Sequence, residues 1–175
     1  MGPGNQRRAS PLVLCALAGV ETGILGGLAM LGWLAASSAL DRQSIWIVPN
    51  LLGSVFYGRD VLRRSFGWVT MDGLALHFFV SGLIGLAFGL SAGRSRNRLR
   101  VALLGIAAGL VWYYFSEALF WRKLGVVARI YGPPRSLLLA HLIYGLILAR
   151  FPSALASLER HVHGEPVSAP KPLEP

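Results

Sequence analysis

Four apolar segments of this chain each contain an ionisable side chain in their interior: Glu21, His77, Glu117 and His141. A charge at membrane depth is costly, so such residues usually face protein or water and serve as hypotheses for a functional site. Imidazole and carboxylate groups ligate transition metals and transfer protons. Any chemistry of this chain is therefore expected at these positions.

Three of these residues lie on stripes of small residues spaced four apart, which places each stripe on one helix face and lets helices approach closely. The stripes are Gly73, His77, Ser81, Gly85, Gly89 and Gly93; Gly105, Gly109, Tyr113 and Glu117; and His141, Gly145 and Ala149. We expect His77, Glu117 and His141 to form one intramembrane polar cluster, in the outer half of the membrane. This cluster is the first candidate site.

Glu21 is the secondary candidate because it departs from this pattern. Its segment has a small stripe of Gly19, Gly23 and Gly27, but Glu21 points about 200° away from Gly19. It lies near mid-membrane, and we expect it to contact a different neighbour or a partner protein.

The cluster is compatible with several kinds of chemistry. A metal is not expected, because the three residues lie on different helices without the Glu-x-x-His pairing of di-metal bundles. His77 and His141 could hold a non-covalent haem b as axial ligands, or act with Glu117 and Glu21 in a proton or ion path. The structural interpretation, which we favour over any single active one, has them hydrogen-bond one another and fix helix register. On that interpretation no cofactor is needed.

Composition indicates the class of protein. Among the 175 residues, 54% are hydrophobic and only 14% are charged, which is typical of a membrane protein. The net charge of +9 is explained by arginines at membrane borders, and no basic stripe interleaved with aromatics suggests nucleic acid. The sequence has no Gly-rich phosphate loop, nucleophile elbow or zinc-protease motif, so we predict no enzyme.

The elements that must position the candidate residues are helices. We predict an all-α integral membrane fold with transmembrane helices at about 12–38, 69–92, 101–121 and 136–151. Residues 1–10 form a cytoplasmic flank, 11–151 the four-helix membrane domain and 152–175 a disordered, proline-rich tail. The first segment is roughly twice as long as a signal-peptide core, which favours retention.

Residues 45–66 form the irregular part between the first two spans. Apolar residues at mixed three- and four-residue steps, with charges between them, predict a helix lying in the membrane interface. A re-entrant segment around Ile45–Tyr57 is the alternative, because that stretch is uncharged and too short to span.

The basic loop between the second and third spans orients the chain. Four arginines occur within residues 94–100, and short basic loops lie on the cytoplasmic side. An even number of spans then places both termini in the cytoplasm.

Segments two to four resemble the YagU-type small inner-membrane proteins of bacteria, a family without an established biochemical activity. The resemblance covers about 85 residues and is carried by the residues listed here: His77, Ser81, Gly85, Gly89, Gly105, Gly109, Pro133, Pro134 and His141. It implies a bacterial inner-membrane protein with a link to acid tolerance, and it assigns no functional residues.

Together these features predict a non-enzymatic, multi-pass protein of the bacterial cytoplasmic membrane, acting as an accessory or stress-related component. The expected partners are the lipid bilayer and either further copies of the chain or another membrane protein. The alternative is a redox or ion-handling subunit that uses His77, His141 and Glu117.

Overall fold

The computed structural model of this chain describes residues 10–58, 65–95, 97–121 and 134–163. Most of the predicted N-terminal flank, residues 59–64 of the predicted interfacial segment, the proline break at 133 and tail residues 164–175 lie outside the described residues. The described part is all-α, as predicted. Its helices are α1 (Pro11–Leu40), α2 (Ile47–Tyr57), α3 (Trp68–Ala92), α4 (Arg98–Ser116), α5 (Pro134–Leu148) and α6 (Phe151–His163), and a π-helical turn, Glu117–Trp121, extends α4.

Within the described residues, four helical stretches are long and apolar enough to cross a membrane: Pro11–Leu40, Trp68–Ala92, Arg98–Leu119 and Arg135–Val162. They correspond to the four predicted spans. The predicted fold class is confirmed, including a short apolar helix between the first two spans. The chain is a multi-pass helical membrane protein.

The last stretch extends further than predicted. Residues 152–163, assigned above to a disordered tail, form most of α6, whose residues Phe151, Ala154 and Leu155 are buried. Pro152 has no N–H and disturbs the turn before it, so the chain makes a short turn at residues 149–150 and then continues as a helix. The buried apolar residues after Pro152 stabilise this helix despite the proline.

Glycines set the distance between α1 and α3. A Cβ at Gly85 would collide with the carbonyl oxygen of Gly19, and one at Gly23 would lie 2.5 Å from the Ser81 carbonyl oxygen. The two helices therefore cross with their backbones in contact, because no side chain separates them. The predicted α1 stripe packs on the middle of the predicted α3 stripe, from Ser81 to Gly89. Gly73 packs on α2 instead, and a Cβ on Gly93 would meet no heavy atom within 4 Å.

A second glycine contact joins α4 to α5. A Cβ at Gly109 would meet the carbonyl oxygen of His141, and one at Gly145 would lie 2.5 Å from that of Gly105. The bundle thus contains two tight helix pairs, α1 with α3 and α4 with α5. Helix α1 also packs on α5 and α6, whereas α3 and α4 touch little.

Helix α2 packs along the first turns of α3 in the opposite direction. Gly53 lies against Val69, and Pro49 lies against Gly73 one turn further along α3. The hydroxyl of Thr70 donates to the Asn50 side-chain oxygen at 2.6 Å, and both residues are fully buried. The short helix predicted between the first two spans is therefore held against α3 by close backbone contacts and a buried hydrogen bond.

Candidate functional site

A cavity of about 90 Å³ lies inside the described part of the bundle. It is lined by Met30 and Leu34 of α1 and by residues of α2, α3, α4 and α5. Its polar lining side chains come from α3, α4 and α5: His77, Ser81, Ser116, His141 and Tyr144. No Asp, Glu, Lys or Arg of the described residues lines it, so the cavity is uncharged when the histidines are neutral.

His77 connects α3 to α1. Its Nε2 lies 2.9 Å from the carbonyl oxygen of Gly27, and since a carbonyl only accepts, the ring N–H donates. Gly27 lets the imidazole ring approach α1, because a Cβ on Gly27 would lie 3.3 Å from Nε2 of His77. The neutral ring then carries its lone pair on Nδ1, the nitrogen nearer its own helix.

His141 makes its hydrogen bond within its own helix. Its Nδ1 lies 2.7 Å from the Leu137 carbonyl oxygen one turn earlier, so Nδ1 donates and Nε2 keeps a lone pair. The Tyr113 ring packs edge-on against the imidazole at 5.4 Å between centroids. Only 4% of His141 is exposed, so this acceptor is held inside the protein.

Tyr144 links the two walls of the cavity. Three residues after His141, its hydroxyl donates to the Ser81 carbonyl oxygen on α3 at 2.7 Å. Its ring packs over Gly26 of α1, where a Cβ would lie 2.8 Å from the ring edge. One side chain thus joins three helices around the cavity.

No protein-family model, curated protein or solved structure matches this chain.

The structure brings His77 and His141 to one cavity but leaves Glu117 outside its lining. Glu117 is half-buried at the start of the π-helical turn, where its neighbour Ser116 lines the cavity and donates to the Tyr113 carbonyl oxygen at 2.9 Å. In the described part of the chain, no group of three His, Cys, Asp or Glu residues is arranged to hold a metal ion. The predicted three-residue cluster is thus reduced to a histidine pair at one cavity.

Glu21 lies on the exposed face of α1, away from the cavity. This agrees with the prediction that it points away from Gly19, which is buried against α3. Helix α1 therefore has an inner face that packs and an outer face that carries a carboxyl group.

Sequence reasoning missed Tyr144 and did not treat Ser81 as more than a packing residue. The signal was present, because Tyr144 follows His141 by three residues and Ser81 follows His77 by four, which puts each pair on one helix face. Uncharged polar residues provide much of the polar lining, and their types alone do not mark a site.

Proposed function

We propose that this chain is a non-enzymatic accessory protein of the bacterial cytoplasmic membrane that works as a homo-oligomer, assembled through the outer face of α1. The observation that carries the proposal is the exposed carboxyl group of Glu21 in the middle of a membrane span. Glu21 lies ten residues beyond Pro11, a rise of about 15 Å. At that depth an ionised acidic group facing lipid costs roughly 2.5–3.5 kcal/mol.

A second copy of the chain is the partner that this face suits. The other described spans expose apolar side chains in their middle turns, such as Phe79, Leu83 and Val111. Contact with any of those faces would leave Glu21 without a polar partner. A two-fold contact brings Glu21 onto its counterpart, where a protonated carboxyl group donates to the other carboxyl oxygen.

Gly32 supports close approach on the same face. Eleven residues after Glu21 it points in nearly the same direction, and a Cβ placed on it would meet no heavy atom within 4 Å. Leu28, 58% exposed, lies between them. The outer face therefore combines a polar group with a small residue that no other described helix contacts, the combination that favours association of membrane helices.

Single-cysteine crosslinking tests the assembly. Cys15 is buried, and its replacement by Ser gives a background for Leu28→Cys on the outer face and Leu83→Cys on α3, 47% exposed, as the matched control. We expect oxidised dimer from Leu28→Cys and little from Leu83→Cys. Adding Glu21→Leu should reduce the dimer several-fold, and equal yields from both cysteine positions would contradict the proposal.

The orientation is tested by reporter fusions. The dense arginines around Arg98 and Arg100 support a cytoplasmic turn between α3 and α4, with both termini on the same side. A phosphatase fused after Arg100 should be inactive and a cytoplasmic fluorescent reporter active. The reverse pattern would overturn the orientation.

The redox and ion-handling alternative is weakened by how the cluster residues are used. Nε2 of His77, the nitrogen at the far end of its ring, donates a hydrogen bond to the Gly27 carbonyl oxygen and cannot also ligate an iron. Glu117 does not line the cavity. The purified protein should show no Soret band and no metal, and proteoliposomes of wild type and Glu117→Gln should leak protons equally. A Soret band lost in His77→Ala or His141→Ala would establish the alternative.

The stress-related role rests on the family resemblance stated above. Its test is survival of a deletion strain after acid challenge, with the wild-type gene restored as control. Equal survival of the deletion and restored strains would contradict the stress-related role. The homo-oligomeric assembly would still be tested separately by the crosslinking experiment.

A further inference from the structure

Three buried polar atoms at the cavity have no hydrogen-bond partner within the described residues. One is Nδ1 of His77, the nitrogen nearer its own helix. The other two are the Nε2 nitrogen of His141 and the Oγ oxygen of Ser81, whose residues are 4% and 5% exposed. Every side-chain nitrogen or oxygen of the described residues that is fully shielded does have a partner. The atoms of His141 and Ser81 therefore have accessible surface, and since both residues line the cavity, we infer that these atoms face it.

Their chemistry complements a hydroxyl group. Nε2 of His141 is an acceptor because Nδ1 donates to Leu137, and the Ser81 hydroxyl can donate as well as accept. A ligand hydroxyl can donate to the first and accept from the second. A carboxylate or an ammonium ion would be buried here without a counter-charge, which costs several kcal/mol in a membrane interior.

The rest of the lining suits hydrocarbon. Apart from the polar residues named above, apolar side chains surround the cavity, among them Leu51, Val80 and Trp112. Val55 of α2 also lines it and is 47% exposed, so the cavity reaches the outside of the described part there. Within the described residues, α3 and α4 touch little, so no close contact between these two helices closes this side of the cavity.

The size limits what enters. A volume of about 90 Å³ is of the same order as cavities that hold benzene, so it accommodates a hydroxyl group with several methylenes or one ring. The remainder of a longer molecule must extend past Val55 into the bilayer. We propose that the cavity binds a neutral, lipid-soluble alcohol, with its hydroxyl between His141 and Ser81 and its hydrocarbon directed toward Val55.

The experiment compares ligands that differ only in the O–H group. Full-length protein in nanodiscs is titrated with 1-decanol or its methyl ether, and with 4-octylphenol or its methyl ether, while the ¹⁵N signals of the histidine rings are recorded. One hydrogen bond should make each O–H compound bind roughly tenfold more tightly than its ether. The His141 Nε2 signal should shift with the alcohol and not with the ether. Comparing the affinities of the aliphatic and aromatic alcohols shows whether the cavity prefers an alkyl chain or an aromatic ring.

Two serine variants complete the test, so that neither histidine has to be replaced. Ser81→Ala keeps the backbone carbonyl that Tyr144 uses and should weaken decanol binding several-fold, whereas Ser91→Ala, exposed near the end of α3, should not. The exposed His161 serves as the internal control whose signal stays constant. Equal binding of alcohol and ether, or saturable binding of neither, would overturn the proposal. The result is independent of crosslinking, since a monomer has the complete cavity.

Discussion

The Nε2 nitrogen of His77 lies 2.9 Å from the carbonyl oxygen of Gly27 and joins α3 to α1 at the edge of the cavity. The hydrogen bond forms where α1 and α3 are already close, because a Cβ on Gly27 would lie 2.7 Å from the Ser81 Oγ. Its role is to fix the register of a contact that glycines make possible.

Removing this hydrogen bond should have a small effect. His77→Phe keeps a planar ring but has no N–H, and interhelical hydrogen bonds in membranes contribute about 0.6 kcal/mol on average and at most about 1.7. We expect a loss of stability in that range, measured by unfolding in mixed detergent micelles. The control is His161→Phe, at an exposed position on α6 that should be neutral. A loss above roughly 3 kcal/mol would mean that His77 does more than fix register.

The glycine contact should be far less tolerant. Gly85→Ala places a methyl group against the backbone of Gly19, which cannot move aside without separating α1 from α3, so we expect a loss of about 1–3 kcal/mol or failure to fold. Gly82→Ala is the matched control, because its Cβ would lie 3.7 Å from the nearest side-chain atom of Ile24. Both are measured by the same unfolding assay, and similar results would show that α1 and α3 are not closely packed.

These contacts explain why the spans were predictable and the cavity was not. A stripe such as Gly85 and Gly89 shows which face of a helix packs, and apolar length shows that it spans, so both follow from local sequence. The position of α2 depends on which turn of α3 packs against Pro49. Tertiary packing determines that turn, so the local sequence does not predict it. A cavity is left over after all helices have packed, so no single segment encodes it.

The Tyr57 hydroxyl should ionise at a higher pH than that of an ordinary tyrosine. Its hydroxyl donates to the Asp72 carboxylate, and that hydrogen bond, together with the negative charge, raises the pKa of Tyr57 above its usual value near 10. A raised folded pKa adds stability that is present below the ordinary pKa and lost as the pH rises through the folded one. Ultraviolet titration of phenolate should show one tyrosine ionise at lower pH in Asp72→Asn than in the wild type. An unchanged titration curve would contradict the contact.

Arg94 and Glu159 connect the end of α3 to α6 by an ion pair of 2.7 Å. The Arg94 side chain is 59% exposed, so salt should screen the attraction and the pair should contribute less than about 1 kcal/mol. We expect Arg94→Gln to lower stability slightly at 20 mM salt and not at 1 M. Arg98→Gln, on the nearby exposed first turn of α4, is the control at both salt concentrations. An effect of Arg94→Gln that persists at 1 M would show that this pair is shielded from solvent.

The packing of α2 on α3 has a consequence for biosynthesis. Helix α2 leaves the ribosome before α3, yet the fully buried Asn50 meets Thr70 only when the later helix has been made. The roughly 35 residues from Tyr57 to Ala92 take about 2–7 s at synthesis rates of about 5–20 residues/s. During that interval α2, which is too short to cross a bilayer by itself, has no α3 to pack on. Docking of α2 therefore follows synthesis of the second span.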